Sequence, residues 1–241
     1  MMKKALIVIP AYNEEKIIDE SIRYLYENLP SIKGLIIHTI IAENGSKDKT
    51  FEAGRRLEKK FPNLKTVHFP LAGRDNAIQE CIKKNDADIF IYLDADMSTH
   101  PKHIADLIYY IEKGNDIVIG SRSLKKSKVI RPLDRKIMSM IYNFIILPVI
   151  LPTGVGDTQC GFKAINKRTV KEILRKLTKG QSFMDTELLA VAHSKGYKIK
   201  EIPVEWTESE RASTMSVHNN IPKYLRNIFK VRAKIHRGFY N

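Results

Sequence analysis

Cysteine is nearly absent: Cys81 and Cys160 are the chain's two. They are too few for a disulfide framework and fit a reducing compartment. No Cys or His spacing of a structural zinc site occurs. Neither G-x-x-x-x-G-K-[ST] nor G-x-G-x-x-G is present, which argues against a P-loop enzyme and a dinucleotide-binding dehydrogenase. The opening "MMKKALIVIPAYNEE" sets basic residues before an apolar run, but that run is about half a signal peptide's and reads as a first strand. Acids are also short. Against 41 Lys and Arg stand 27 Asp and Glu, a net charge of +14.

That surplus calls for an anionic partner: nucleic acid, an anionic membrane surface, or phosphorylated small molecules. It concentrates in two places, Arg122–Lys136 and the tail Val217–Asn241. Nucleic acid is disfavoured, because the charge is not interleaved with aromatics in a known binding module. Between the clusters lies "IMSMIYNFIILPVILP", Ile137–Pro152. It is shorter than the roughly 20 residues of a membrane span and is interrupted by Pro148. It reads as a buried core helix or as an interfacial helix with Arg131, Arg135 and Lys136 at its start. The tail sets Ile221, Tyr224, Leu225, Ile228, Phe229 and Ile235 at spacings near three and four among its basic residues. That pattern fits a membrane-surface helix, or a helix packed on the domain.

What the chain has in quantity is alternation. Strand-like runs at Ala5–Ile9, Leu35–Ala42, Lys65–Phe69, Ile89–Leu93 and Asp116–Gly120 alternate with helical stretches at Glu14–Asn28, Lys49–Lys60, Asp75–Asn85 and Pro101–Lys113. This predicts one α/β, Rossmann-like domain over residues 1–216, with a mostly parallel central sheet and helices on both faces. Residues 217–241 are predicted as a basic amphipathic C-terminal helix. Lys163–Ile165 and Ile199–Val204 are further candidate strands, and Glu187–Lys195 a further helix.

Three polar clusters follow three of these strands: Pro10-Ala11-Tyr12-Asn13-Glu14, Glu43-Asn44-Gly45-Ser46 with Lys47-Asp48-Lys49-Thr50, and Asp94-Ala95-Asp96. Each alone fits a turn or a helix cap. Together, at the carboxyl ends of strands in one sheet, they predict a nucleotide-and-metal site. Asp94 and Asp96 are hard oxygen ligands of the kind Mg2+ or Mn2+ takes, with phosphate oxygens completing the shell.

The order of these motifs, with "GDTQCGFKAI" and "SFMDTELL" later, resembles the inverting nucleotide-sugar glycosyltransferases of GT-A fold. Within them it is most similar to the dolichyl-phosphate glucose and mannose synthases. The resemblance implies hexose transfer from a UDP-glucose or GDP-mannose type donor to a polyprenyl or dolichyl phosphate, with Mg2+ or Mn2+. It places Pro10, Tyr12, Glu14, Glu43, Gly73, Arg74, Asp94, Ala95 and Arg211 around the nucleotide, and Asp96 on the metal. Arg122, Arg135 and Ser139 face the acceptor phosphate. Asp185 takes the family's base position, as a positioning group for a phosphate acceptor or an essential base for a hydroxyl acceptor, and Glu187 is a second candidate. Glu43-Asn44 replaces the usual acidic pair, and Ser213-Thr214-Met215 a more usual Gly-Ser-Lys. The expected setting is cytoplasmic, peripheral on the inner face of a membrane, with an integral-membrane protein as a candidate partner. A hydroxyl acceptor on a polysaccharide or glycolipid, or a catalytically silent nucleotide-binding scaffold, are the alternatives.

Overall fold

A computed structural model describes residues 2–178, 183–208 and 217–240, with the side chains of 134–136, 138, 145 and 217–223 outside that description. The strands are β1 (Lys3–Ala11), β2 (Leu35–Asn44), β3 (Leu64–Phe69), β4 (Ile89–Tyr92), β5 (Ile117–Ser121), β6 (Lys128–Ile130), β7 (Lys163–Asn166), β8 (Ile199–Pro203) and β9 (Glu205–Thr207). The helices are α1 (Ile18–Glu27), α2 (Thr50–Leu57), α3 (Arg74–Lys84), α4 (Ile104–Glu112), α5 (Leu133–Met140), α6 (Leu147–Ile150), α7 (Lys167–Glu172), α8 (Met184–Ser194) and α9 (Val217–His236). A π-helical stretch, Ile141–Ile146, joins α5 to α6.

Seven strands form the central sheet in the order β3-β2-β1-β4-β7-β5-β8. All pairings are parallel except those of β7, which runs antiparallel between β4 and β5. The expected mostly parallel sheet is therefore present, with one inverted strand at its centre. Strand side chains alternate between faces. Ile7, Ile9 and Ile91 pack with α1, α2 and α4 on one side. Leu6, Val8, Phe90 and Tyr92 pack with α3, α7 and α8 on the other. Burial on both faces explains the near-continuous apolar runs of β1 and β4. Strands β6 and β9 form a separate two-stranded ribbon.

A third apolar cluster joins α6, α8 and α9 through Leu147, Leu151, Phe183, Ala190, Ile228 and Val231. Tyr224, Leu225 and Ile235 pack against it. The tail's apolar stripe thus faces the domain along these residues, the second of the two orientations its spacing allows. Phe229 alone of the described stripe points outward. Among the described residues no helix is long and apolar enough to cross a membrane.

Candidate active site

The three polar clusters meet at one rim of the sheet, and hydrogen bonds through side chains lace the first two together. Asn13 takes a positive φ of 55°, a conformation asparagine tolerates better than most residues. Its N–H donates to Ser46 Oγ and its Oδ1 accepts from the Lys47 N–H. The Glu14 N–H donates to Thr50 Oγ1 at 2.8 Å. Asn44, buried, donates to the carbonyls of Ala11 and Ala42 and accepts from the Gly73 N–H. An amide both donates and accepts in this way, so Asn44 ties the ends of β1 and β2 to the loop after β3 where an aspartate could not. Glu43 is buried too, with one oxygen on the Ser46 N–H and the other on His68 Nδ1. Pro10 lies inside β1's buried run, while the Tyr12 ring is 41% exposed beside it.

Asp94 and Asp96 follow β4. Asp94 Oδ1 accepts from Arg74 Nε at 3.0 Å, and Asp96 Oδ1 accepts from the Ser98 N–H at 3.0 Å. Ala95, between them, is buried in the core. A Cβ on Gly161 would stand 2.0 Å from Asp94 Oδ2, so only glycine there leaves the carboxylate in place. Among the described residues no three acids, histidines or cysteines converge into a metal cage. The donor set still fits a hard divalent cation, because Mg2+ is held by one or two carboxylates plus substrate phosphates and water. Asp96 is the residue that would ligate it, with Asp94 beside it.

The sequence did not foretell the network behind this rim. Asp185, at the start of α8, accepts from Tyr92 Oη at 2.7 Å and from Arg74 Nη1 at 3.1 Å, and pairs with Lys163 Nζ at 2.8 Å. Lys163 is fully buried, and its Nζ also donates to the carbonyls of Thr158 and Cys160. Asp75 accepts from the Met184 N–H at 2.9 Å and seats the first turn of α8. Burial pushes the Asp185 carboxyl up, but Lys163 and Arg74 outweigh it and hold the group below the ordinary carboxylate range. One guanidinium, Arg74, therefore spans Asp94, Asp75 and Asp185. The clue in the sequence was a lysine inside an apolar strand, "FKAI".

Arg122 gives its backbone N–H, Nε and Nη2 to Asp157, at 2.9, 2.7 and 2.8 Å. Its guanidinium lies 5.2 Å from the Trp206 ring centre, and that of Arg131 lies 5.7 Å from the same ring. Arg131 Nη1 donates to Ser139 Oγ at 3.0 Å. Thr99 bridges to Trp206, and the Thr207 N–H donates to the Ser98 carbonyl. The structure thus brings Arg122 and Ser139 together around Trp206, beside the loop that carries Asp96. Arg131 and Trp206 are members outside the motifs, and Asp157 stands in "GDTQCGFKAI" with no role assigned to it there. The side chain of Arg135 and all of Arg211 and Ser213–Met215 lie outside the described residues. Glu187 is turned away from the rim, bonded to Thr178 and Tyr240. A hollow of about 420 Å³ lined by Lys4, His38 and Lys65 lies at the opposite, amino end of the strands, away from this chemistry.

An open α/β sheet with one inverted strand and an Asp-Ala-Asp turn at its carboxyl rim defines a glycosyltransferase of GT-A fold. Residues 6–174 match the glycosyl transferase family 2 description, and the chain belongs to that family. It is 33% identical over 244 residues to a dolichyl-phosphate beta-glucosyltransferase, ALG5A, of Trichomonas vaginalis, covering 96% of this chain and 73% of that one. It is 30% identical over 203 residues to glycosyltransferase AglD of Haloferax volcanii, covering 83% of this chain but 32% of AglD. The chain therefore spans about a third of one relative and three quarters of the other. Among solved structures, glucosyl-3-phosphoglycerate synthase of Mycobacterium tuberculosis, in complex with Mn2+, UDP and glucosyl-3-phosphoglycerate, superposes with a TM-score of 0.70 at 16% identity. That match covers 95% of this chain and 80% of the synthase.

Proposed function

We propose that the protein transfers a hexose from a nucleotide-sugar to a polyprenyl phosphate at a membrane face. The observation that carries this reading is the occupation of Asp185. Both its oxygens are taken, by Lys163, Tyr92 and Arg74, and its ion pairs favour the anion. It would have to give up those partners to accept a proton from a hydroxyl acceptor. A phosphate monoester, with a second pKa of about 6, arrives already ionised and requires no such step. Asp185 then positions Arg74.

In the transfer, an acceptor phosphate oxygen bonds to the sugar's anomeric carbon while that carbon's bond to the donor's phosphate oxygen breaks, and the nucleoside diphosphate leaves. Pro10, Tyr12, Glu14, Glu43, Gly73 and Ala95 shape the nucleotide pocket, and Arg74 meets the pyrophosphate. A bound Mg2+ or Mn2+ supplies charge stabilisation to the leaving diphosphate. Arg122 and Ser139, with Arg131 beside them, face the acceptor phosphate, and Arg135 and Arg211 are assigned to the two phosphates by resemblance.

The membrane setting draws support from an outward apolar stripe. Leu133, Ile137, Met140 and Phe144 are 71, 49, 52 and 54% exposed, at spacings of four, three and four residues. They start within the basic Arg122–Lys136 segment and continue past it, the composition of a helix lying in a headgroup layer. The proposed place is the cytoplasmic face, directly or beside an integral-membrane protein.

The test is incubation with a panel of nucleotide-sugars, a short polyprenyl phosphate and Mn2+. Lipid-linked product from the intact protein, and its loss by several kcal/mol of barrier in Asp96→Ala, is the expected outcome. Nucleotide release without lipid product would favour a hydroxyl acceptor. Undiminished turnover by a folded Asp96→Ala would remove the metal role.

A further inference from the structure

Lys163 is the most enclosed charge in the molecule's described part that touches the site, and the family motifs leave it without a role. It stands on β7 directly across from Tyr92 on β4, so both side chains leave the same face of the sheet. An ammonium has three protons, and all three are used: one on Asp185, one on the Thr158 carbonyl, one on the Cys160 carbonyl. The two carbonyls belong to the turn that ends in Gly161, against which Asp94 rests. Asp185 in turn holds Arg74, whose other nitrogen reaches Asp94. One buried cation therefore joins the Asp185 side of the site to the Asp94 side by two routes, through the turn and through the Asp185–Arg74 pair.

We propose that Lys163 is a positioning residue of the transfer site: it fixes Asp185 and the Thr158–Gly161 turn together, and so sets Arg74 and Asp94 for the donor. For its effect on turnover this rests on the transferase reading, but the linkage itself can be measured without a substrate.

The groups facing Asp185 are Arg74 and Asp75 on α3, Tyr92 on β4, Lys163 on β7 and Tyr224 on α9. With Lys163 removed, burial and Asp75 oppose the anion, and Arg74 and the Tyr92 hydroxyl remain to support it. In the native protein the lowered carboxyl contributes stability above its unfolded pKa that is lost as pH falls through the folded value. In Lys163→Met the strongest of the anion's partners is gone, so the folded pKa should rise and the contribution should shrink or reverse. The variant's deficit against the native protein should be largest near pH 8 and shrink toward about pH 5.

The experiment is a thermal-unfolding cycle of Lys163→Met, Asp185→Asn and the double variant across that pH range, with turnover at each pH. Removing one partner of a buried pair leaves the other uncompensated, whereas removing both relieves it. The double variant should therefore melt above Lys163→Met, and Lys163→Met should turn over about tenfold slower or worse. A Lys163→Met that fails to fold while the double variant folds supports the proposal equally. Additive melting losses with no pH dependence would overturn it, as would native turnover in Lys163→Met. If the native protein transfers no sugar, the transferase reading falls, and the unfolding cycle still decides the linkage.

Discussion

Gly161 illustrates how one residue's lack of a side chain can serve a site. An added Cβ would strike Asp94 Oδ2, yet the Asp94 side chain is 46% exposed and can swing aside. Gly161→Ala should therefore cost about 1 kcal/mol or less of stability, since the displaced Asp94–Arg74 pair is half in water. Transfer should fall about tenfold or more, because the carboxylate leaves its place at the rim. Melting curves and turnover on the same preparation check this, and a fall in both by equal measure would point to packing alone. The place of Asp94 and Asp96 at the rim was legible because a strand buried on both faces ended in acids. That of Lys163, Tyr92 and Asp157 was not, because each acts through a partner more than 20 residues away in the chain, outside its own element. Asn44 is intermediate. Its departure from the family's acidic pair was visible, and its bonds to Ala11 and to the Gly73 N–H on neighbouring segments supply the reason.

Helix α8 carries Asp185 on its first turn and Glu187 two residues later, and the two acids face different tasks. Glu187 is buried and accepts from the Thr178 N–H, the Thr178 hydroxyl and the Tyr240 hydroxyl. Lys234 and Lys176 add bonds to Thr178 and to the Tyr240 carbonyl. This joins the turn after α9 to α8, beside the apolar cluster of Ile228 and Val231. Tyr240→Phe should lower stability by about 1.5–3 kcal/mol, the range for a hydrogen bond to a charged group. A denaturant midpoint unchanged by the substitution would show that the hydroxyl is dispensable. The tail's helical spacing was readable in the sequence, and so was its stripe. Which surface the stripe would meet was not, since membrane and protein interior ask for the same residues. Strands β1, β4 and β5 were readable for the opposite reason: only a doubly covered sheet requires such near-unbroken apolar runs. The ribbon β6–β9 has three residues per strand, too few for an alternation to register.

At the scale of the whole molecule, the +14 charge and the outward stripe of α5 act together. The protein should bind anionic vesicles and release them as salt rises, because screening acts on exposed charge. Ile137→Glu with Met140→Glu should weaken that binding without lowering the melting temperature, since both side chains are about half exposed. Flotation with neutral and anionic vesicles at low and high salt is the measurement. A native protein that stays in solution with both would assign the charge to phosphorylated substrates. The inverted strand β7 also bears on how the chain comes to be made. Strands β4 and β5 are not neighbours, and β7 alone lies between them. Until residue 166 has left the ribosome, β4 has one open edge and β5 has no partner from the segment already synthesised. Open edges invite pairing with other chains. The early half of this protein is thus a growing polypeptide with a gap in the middle of its sheet, and the segment that fills the gap is the one that carries Lys163. Closing the sheet sets Lys163 in place, and the site is completed only when α8 follows and brings Asp185 to it.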